Sequence, residues 1–159
     1  MTAGERTPEE VATRVMGRIL GAHLCVEHFV TEYLQAKNPS LGGLSSARLT
    51  FAQKVELVGG VDPAVPYLVP GLRRLNKIRN RLAHTLNTSV TNEDRDLLLL
   101  IELFRALRDA LASPAVASVE PVDVQESFAQ HAGMALNAAA DPWAGFWIKA
   151  IVGQSADES

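Results

Sequence analysis

The stretch "TPEEVATRVMGRILGAHLCVEHFVTEYLQAK", Thr7 to Lys37, reads as one long amphipathic helix, and that reading decides the fold class. Thr7 stands as the N-cap, and Pro8 takes the first helical position, where its missing N–H removes no bond. Glu10, three residues after the cap, closes a capping box. Val11, Val15, Ile19, Val26, Val30 and Tyr33, flanked by Met16, Leu20 and Leu34, then recur at helical spacing. An apolar stripe of this length needs other helices to cover it.

Those helices follow along the chain. "KNPSLGGLSS" breaks the pattern with Pro39, Gly42 and Gly43, and Ser45 or Ser46 can cap a shorter helix through Leu57 that Gly59 and Gly60 end. A third helix is expected from Val65 or Pro66 to Leu86, with Pro70 bending or restarting it, on the series Leu68, Leu72, Leu75, Ile78, Leu82 and Leu86. Thr91 can cap a fourth, whose run "RDLLLLIELFRALRDALA" carries it to Ala112. No β alternation or internal repeat interrupts the series. The expected fold is all-α, an antiparallel helical bundle with four core helices in residues 1–112. A connector over 113–124, C-terminal helices within 125–152 and a tail over 153–159 complete it. The first C-terminal helix is expected near Val124 to Ala139 and a short last one around "DPWAGFWIKAIV". Trp143, Trp147 and Ile151 share one face of that last helix, which is expected to pack on the bundle or on a dimer mate, or to serve a partner.

Bulk properties bound the function. At 159 residues and 47% hydrophobic, the chain has material for one ordinary core and not for two. Its start lacks the basic-then-apolar pattern of a secretory signal, and no run approaches the roughly 20 apolar residues that cross a bilayer, so a soluble cytoplasmic protein is expected. The single cysteine, Cys25, has no internal partner for a disulfide. With four scattered histidines it gives no zinc spacing, and neither metal nor other cofactor is expected. The Gly-Gly pairs are turn glycines, without the lysine of a phosphate-binding loop.

Charge is unevenly placed. Between Pro63 and Asn92 no acid occurs, while Arg73, Arg74, Lys77, Arg79 and Arg81 contribute +5, so in a chain of net charge −3 the remainder carries −8. Within this window lies "LNKIRNRLAH", Leu75 to His84. On a helical wheel Arg79 falls between Leu75, Ala83 and Leu86, and so points toward the core side. A guanidinium there needs an acceptor from another helix or a ligand phosphate, or else it snorkels to the rim. Asn76, Asn80, His84 and Asn87 form an adjacent polar stripe. Arg79 and His84, five apart, diverge by about 140° and cannot face each other without a kink or a second copy of the helix about a two-fold axis. His84 on its own is equally a cation at a helix C-terminus, favoured there by the macrodipole. In the first helix, His23 and Glu27 interrupt the apolar arc one turn apart, either as support for Arg79 or for a histidine, or as a rim pair half in water.

"IRNRLAH", an arginine followed by a polar residue, three further residues and a histidine near the end of a third helix, resembles the Rx4-6H motif of the HEPN superfamily. "ILGAHLCVEHFVTEYL" looks like the opening helix of these bundles. "LTFAQKVELVGGVDPAVPYLVPGLRRLNKIRNRLAH" is similar in layout to the mannitol operon repressor-like branch, and the resemblance covers about residues 10 to 110. It implies an all-α domain that forms a homodimer. Many members are metal-independent endoribonucleases, often toxins of toxin–antitoxin or defence systems, and others are non-catalytic regulatory or protein-interaction modules.

By the resemblance, Arg79 and His84 would be the catalytic pair and Asn80 the polar residue after the arginine. The chemistry suits these residue types independently, because RNA brings its own nucleophile in the 2′-hydroxyl. A histidine, with an ordinary pKa of about 6.5, can move the proton, and an arginine can stabilise charge at phosphorus. A 2′,3′-cyclic phosphate is the expected product. Arg73, Arg74, Lys77 and Arg81 would hold the RNA backbone, unless they are a solvated face balancing the acidic helices. The expected partners are therefore a second copy, RNA and an antitoxin or regulatory protein, with no membrane.

Overall fold

The computed structural model describes residues 7–41, 48–61, 65–85, 89–141 and 143, and among them the protein is all-helical, with no strand. Helix α1 (Pro8–Lys37) forms as its ends dictate: Thr7 Oγ1 accepts from the Glu10 N–H at 3.3 Å, and Glu10 Oε2 accepts from the Thr7 N–H at 2.8 Å. Asn38 closes it, the side-chain amide donating to the Leu34 carbonyl ahead of Pro39. Its buried face, Ile19, His23, Val26, Val30, Tyr33 and Leu34, follows the stripe in the sequence, with one histidine inside it.

The other helices are α2 (Phe51–Val61), α3 (Val69–His84), α4 (Asn92–Leu99), α5 (Glu102–Ala112) and α6 (Pro121–Ala140), with a 3-10 turn at Pro66–Leu68 leading into α3. The cap of α2 is Thr50, which exchanges hydrogen bonds with Gln53: Thr50 N–H to Oε1 at 2.9 Å and Gln53 N–H to Oγ1 at 3.3 Å. Ser45, Ser46 and the Gly42–Gly43 pair lie outside the described residues. Gly59 and Gly60 do not end α2, which runs on to Val61. Pro70 falls in the first turn of α3, where no helical N–H is required of it, directly after the 3-10 turn at Pro66–Leu68, so of the two expected effects it is the restart that the structure has.

The expected fourth helix is two helices. Ile101 is extended, at φ −76° and ψ 96°, between α4 and α5. The physical reason lies in the run of leucines: on a continuous helix Leu98 and Phe104, six residues apart, would point roughly 120° apart. The break turns both into the core, where each is almost wholly buried.

The most extensive helix pairing joins α1 and α6, with α2, α3 and α4 packed around them. Residues 121–140 therefore share the core with the N-terminal helices through Val124, Phe128, Ala132 and Leu136. Small residues set the close approach: a Cβ at Gly71 of α3 would fall 2.1 Å from the Phe128 ring, and one at Gly133 of α6 would fall 2.8 Å from Phe29. At the rim Arg18 of α1 donates to Glu126 from Nε and Nη2, at 2.8 and 2.6 Å, and to Asp123 at 2.6 Å. These bonds hold the guanidinium charged well beyond its ordinary range. No helix among the described residues is long and apolar enough to cross a membrane. Trp143 is exposed, while Phe146, Trp147, Ile151, the last expected helix and residues 153–159 lie outside the described residues.

Candidate functional site

Helix α3 buries Leu72, Leu75, Ile78 and Leu82, the expected apolar arc; Leu86 and Asn87 lie outside the described residues. Arg79 departs from that arc. Its wheel position points toward the core, yet the residue is exposed, as is Ala83 one turn on. Nearer the start of α3, Gly71 and Leu72 are buried, with the Phe128 ring of α6 against Gly71. Around Arg79 the same face opens instead into a cleft of about 500 Å³ between α1, α2 and α3. The guanidinium thus reaches water and keeps its apolar stem on the rim. Its Nη1 donates to the Asn80 Oδ1 at 3.2 Å.

The cleft gathers His23 and Glu27 from α1, Phe51 from α2, and Asn76, Arg79 and Asn80 from α3. The i, i+4 pair of α1 and the polar stripe of α3, separate in sequence, therefore meet. His23 is 4% exposed, with its ring centroid 4.6 Å from that of Phe51 and its Nε2 without a hydrogen-bond partner. Burial pushes its pKa below the ordinary histidine value; the Arg79 charge acts in the same direction, and Glu27 and Asn76 oppose it. His23 Nδ1 stands 3.9 Å from Glu27 Oε2, and the other oxygen of that carboxylate accepts from Lys54 Nζ at 3.3 Å. Glu27 is thus the acceptor of Lys54, and no ion pair joins it to Arg79 among the described residues.

His84 is elsewhere. It is the last residue of α3, exposed, and does not line the cleft. Within one chain Arg79 and His84 are not brought together.

Most of the basic window is engaged by the protein's own carboxylates. Arg73 makes a two-pronged pair with Glu56 at 2.9 and 2.8 Å. Arg74 reaches Glu93 at 2.7 Å and, through Nε, Asp94 at 3.0 Å. Arg81 also binds both oxygens of Asp94, which is fully buried and simultaneously closes the α4 capping box with Thr91. Three of the four residues expected to hold RNA backbone, Arg73, Arg74 and Arg81, are therefore ion-paired inside the chain. Lys77, like Arg79, is exposed and has no carboxylate partner among the described residues.

Sequence reasoning passed over Lys54 and Asp94. Lys54 adjoins Val55 on α2, and nothing in its spacing announces that it will lean across to α1. Asp94 stands three residues after Thr91, the interval of a capping box, and that signal could have found it. Among the described residues no group of histidines, cysteines and carboxylates is placed to hold a metal. The chain matches no family model, no curated protein and no solved structure.

Proposed function

We propose that the protein is a HEPN-type, metal-independent endoribonuclease acting on RNA as a homodimer, the toxin of a toxin–antitoxin or defence system. One observation carries the reading: while Arg73, Arg74 and Arg81 are tied to carboxylates, Arg79 has none among the described residues, and it opens with Asn80 into a polar cleft. A cation held beside a cleft without an acid to neutralise it is suited to an anionic ligand. In this reading Arg79 stabilises charge on the phosphorus oxygens and Asn80 orients the guanidinium. His84 exchanges a proton with the reacting oxygens, reaching the Arg79 of a second copy across a two-fold axis. The product is a 2′,3′-cyclic phosphate.

The test incubates purified protein with cellular RNA in EDTA and reads the fragment ends. Wild type is expected to leave cyclic phosphates, and Arg79→Ala is expected to lose roughly 10²–10³-fold in rate, the usual loss when a charge-stabilising donor is removed. Intact RNA after incubation with a folded, partner-free dimer would overturn the reading.

A second reading has its own observation. With three of five cations neutralised internally, the surface left for RNA backbone shrinks to Lys77 and Arg79, whereas Leu103, Leu107 and Leu111 of α5 present an exposed apolar face. This favours a non-catalytic, mannitol-repressor-like module that works by binding protein. A partner captured equally by wild type and by the Arg79→Ala, His84→Ala double variant would support it.

A further inference from the structure

We propose that His23 is the proton acceptor of the cleft, taking the 2′-hydroxyl proton of an RNA linkage whose phosphate Arg79 holds; the proposal rests on the endoribonuclease reading above. The first ground is geometric. Arg79 and His84 diverge on one helix, and only Arg79 lines the cleft, whereas His23 reaches the same cleft from α1. The histidine that a single chain offers to a phosphate at Arg79 is His23.

The second ground is the state of the imidazole. Buried polar atoms are nearly always hydrogen-bonded, and each exception calls for an explanation. His23 is almost wholly buried; its Nε2 makes no hydrogen bond of normal geometry, and Asn76 of α3 is the polar neighbour whose weak interaction helps hold the ring's pKa up. Its Nδ1 faces Glu27 Oε2 at 3.9 Å, beyond hydrogen-bond reach; a proton on Nδ1 is the tautomer the carboxylate favours electrostatically, and in the proposed step it leaves the Nε2 lone pair to accept. A substrate hydroxyl would complete that pairing. Phe51 of α2 packs against the ring and fixes its plane.

The third ground is charge. Around His23 stand Glu27 from α1, Lys54 from α2 and Arg79 from α3, and Lys54 is paired with Glu27. One positive charge remains, Arg79. A phosphodiester carries one negative charge, and the Asn76 and Asn80 amides can serve the neighbouring sugar and base edges. With Arg79 and burial keeping the imidazole neutral, the ring can receive a proton; once it does, Glu27 steadies the imidazolium.

The step balances without a metal. The 2′-hydroxyl proton passes to His23 Nε2 while the 2′-oxygen bonds to phosphorus. The bond from phosphorus to the 5′-oxygen breaks, and that oxygen leaves with a proton from the imidazolium of His84 in the second copy. Two histidines then divide the base and acid roles.

The experiment measures kcat/KM against pH for cleavage of a single-stranded oligoribonucleotide by the full chain as wild type, His23→Asn and Glu27→Gln. Wild type should gain activity with rising pH along a limb centred below the ordinary histidine pKa. His23→Asn should lose roughly 10²–10⁴-fold together with that limb. Glu27→Gln, at a partly exposed position, should shift the limb to lower pH, because Glu27 is what holds the histidine pKa up. A structural role for either side chain would not move a pH profile. If wild type cleaves and His23→Asn keeps both rate and limb, the proposal fails and the ribonuclease reading stands. If His23→Asn does not fold, an unmoved limb in Glu27→Gln overturns the proposal. If wild type cleaves nothing, the reading fails and the proposal with it.

Discussion

Asp94 is the residue on which the basic helix depends. It is fully buried, and its carboxylate serves Arg81, Arg74 and the Thr91 cap at once. Removing one partner of a buried ion pair costs about 3–5 kcal/mol, because the remaining charges are stranded, whereas losing a cap alone costs about 1 kcal/mol. Asp94→Ala is therefore expected to lower the unfolding free energy by about 3 kcal/mol or more and Thr91→Ala by about 1 kcal/mol, as read from urea denaturation. A result in which the two variants are equal would reduce Asp94 to a cap. The same residue shows why part of the site was illegible. Composition placed five cations beside one another, but which of them stay free for a ligand depends on carboxylates supplied by Glu56, Glu93 and Asp94 from α2 and α4. Arg79, His23 and Glu27 could be named in advance because each is a polar group breaking an apolar period, and Asn80 because it follows Arg79 on the adjacent polar stripe. Their meeting in one cleft without His84 required the packing of α1 on α3.

At the level of helices, the capped ends of α1 and the faces of α1 and α3 were readable because caps and 3.6-residue periods are local, whereas α3, which has no side-chain cap at its start, runs from Val69 to His84 and not from Val65 or Pro66 to Leu86. The break between α4 and α5 was not readable: it answers to where Leu98 and Phe104 must lie in the core, a tertiary demand that overrides a run of good helix formers. The cleft at Arg79 has the same origin, since a wheel assigns a face but not whether another helix covers it. Helix spacing makes a sharper demand at the glycines. Gly71 admits the Phe128 ring, which meets Phe104 edge-on at 5.3 Å, so a methyl at position 71 must displace a packed aromatic pair. A methyl at Gly17 on α1 would meet nothing within 4 Å, so alanine there only relieves the entropic penalty of glycine in a helix. Gly71→Ala is expected to destabilise by about 1–3 kcal/mol and Gly17→Ala to stabilise by about 0.5–1 kcal/mol, measured as opposite shifts of the urea midpoint.

For the whole molecule, His23, His131, Asp94 and Asp123 bias stability in one direction on the acid side, whereas the raised pKa values of Tyr67 and Arg18 act in the opposite sense and only in the alkaline range. Burial lowers the pKa of His23, and also that of His131 on α6, whose Nε2 pairs with the Tyr67 hydroxyl at 2.9 Å. Burial alone would raise the pKa of Asp94, but hydrogen bonds from Arg81 and Thr91 prevail and hold it below the usual carboxylate value. Bonds from Ser118 and Arg18 likewise lower that of Asp123 at the α1–α6 rim. In each case the unfolded chain binds a proton more readily than the folded one, so stability rises with pH across the interval between the two pKa values. The histidines act first as pH falls below about 6.5, because the native state resists protonation there, and their contribution is lost down to the lower folded values. The two aspartates act later, their contribution present above about 3.9 and lost as pH drops through their depressed values. Urea midpoints taken from about pH 8 to about pH 3 should accordingly fall in two stages separated by a flatter region. In a His23→Asn, His131→Gln variant the upper stage should flatten while the lower one remains. An upper stage unchanged in that variant would mean that groups other than these histidines govern the neutral-to-acid loss of stability, and that His23 is not held neutral within the fold.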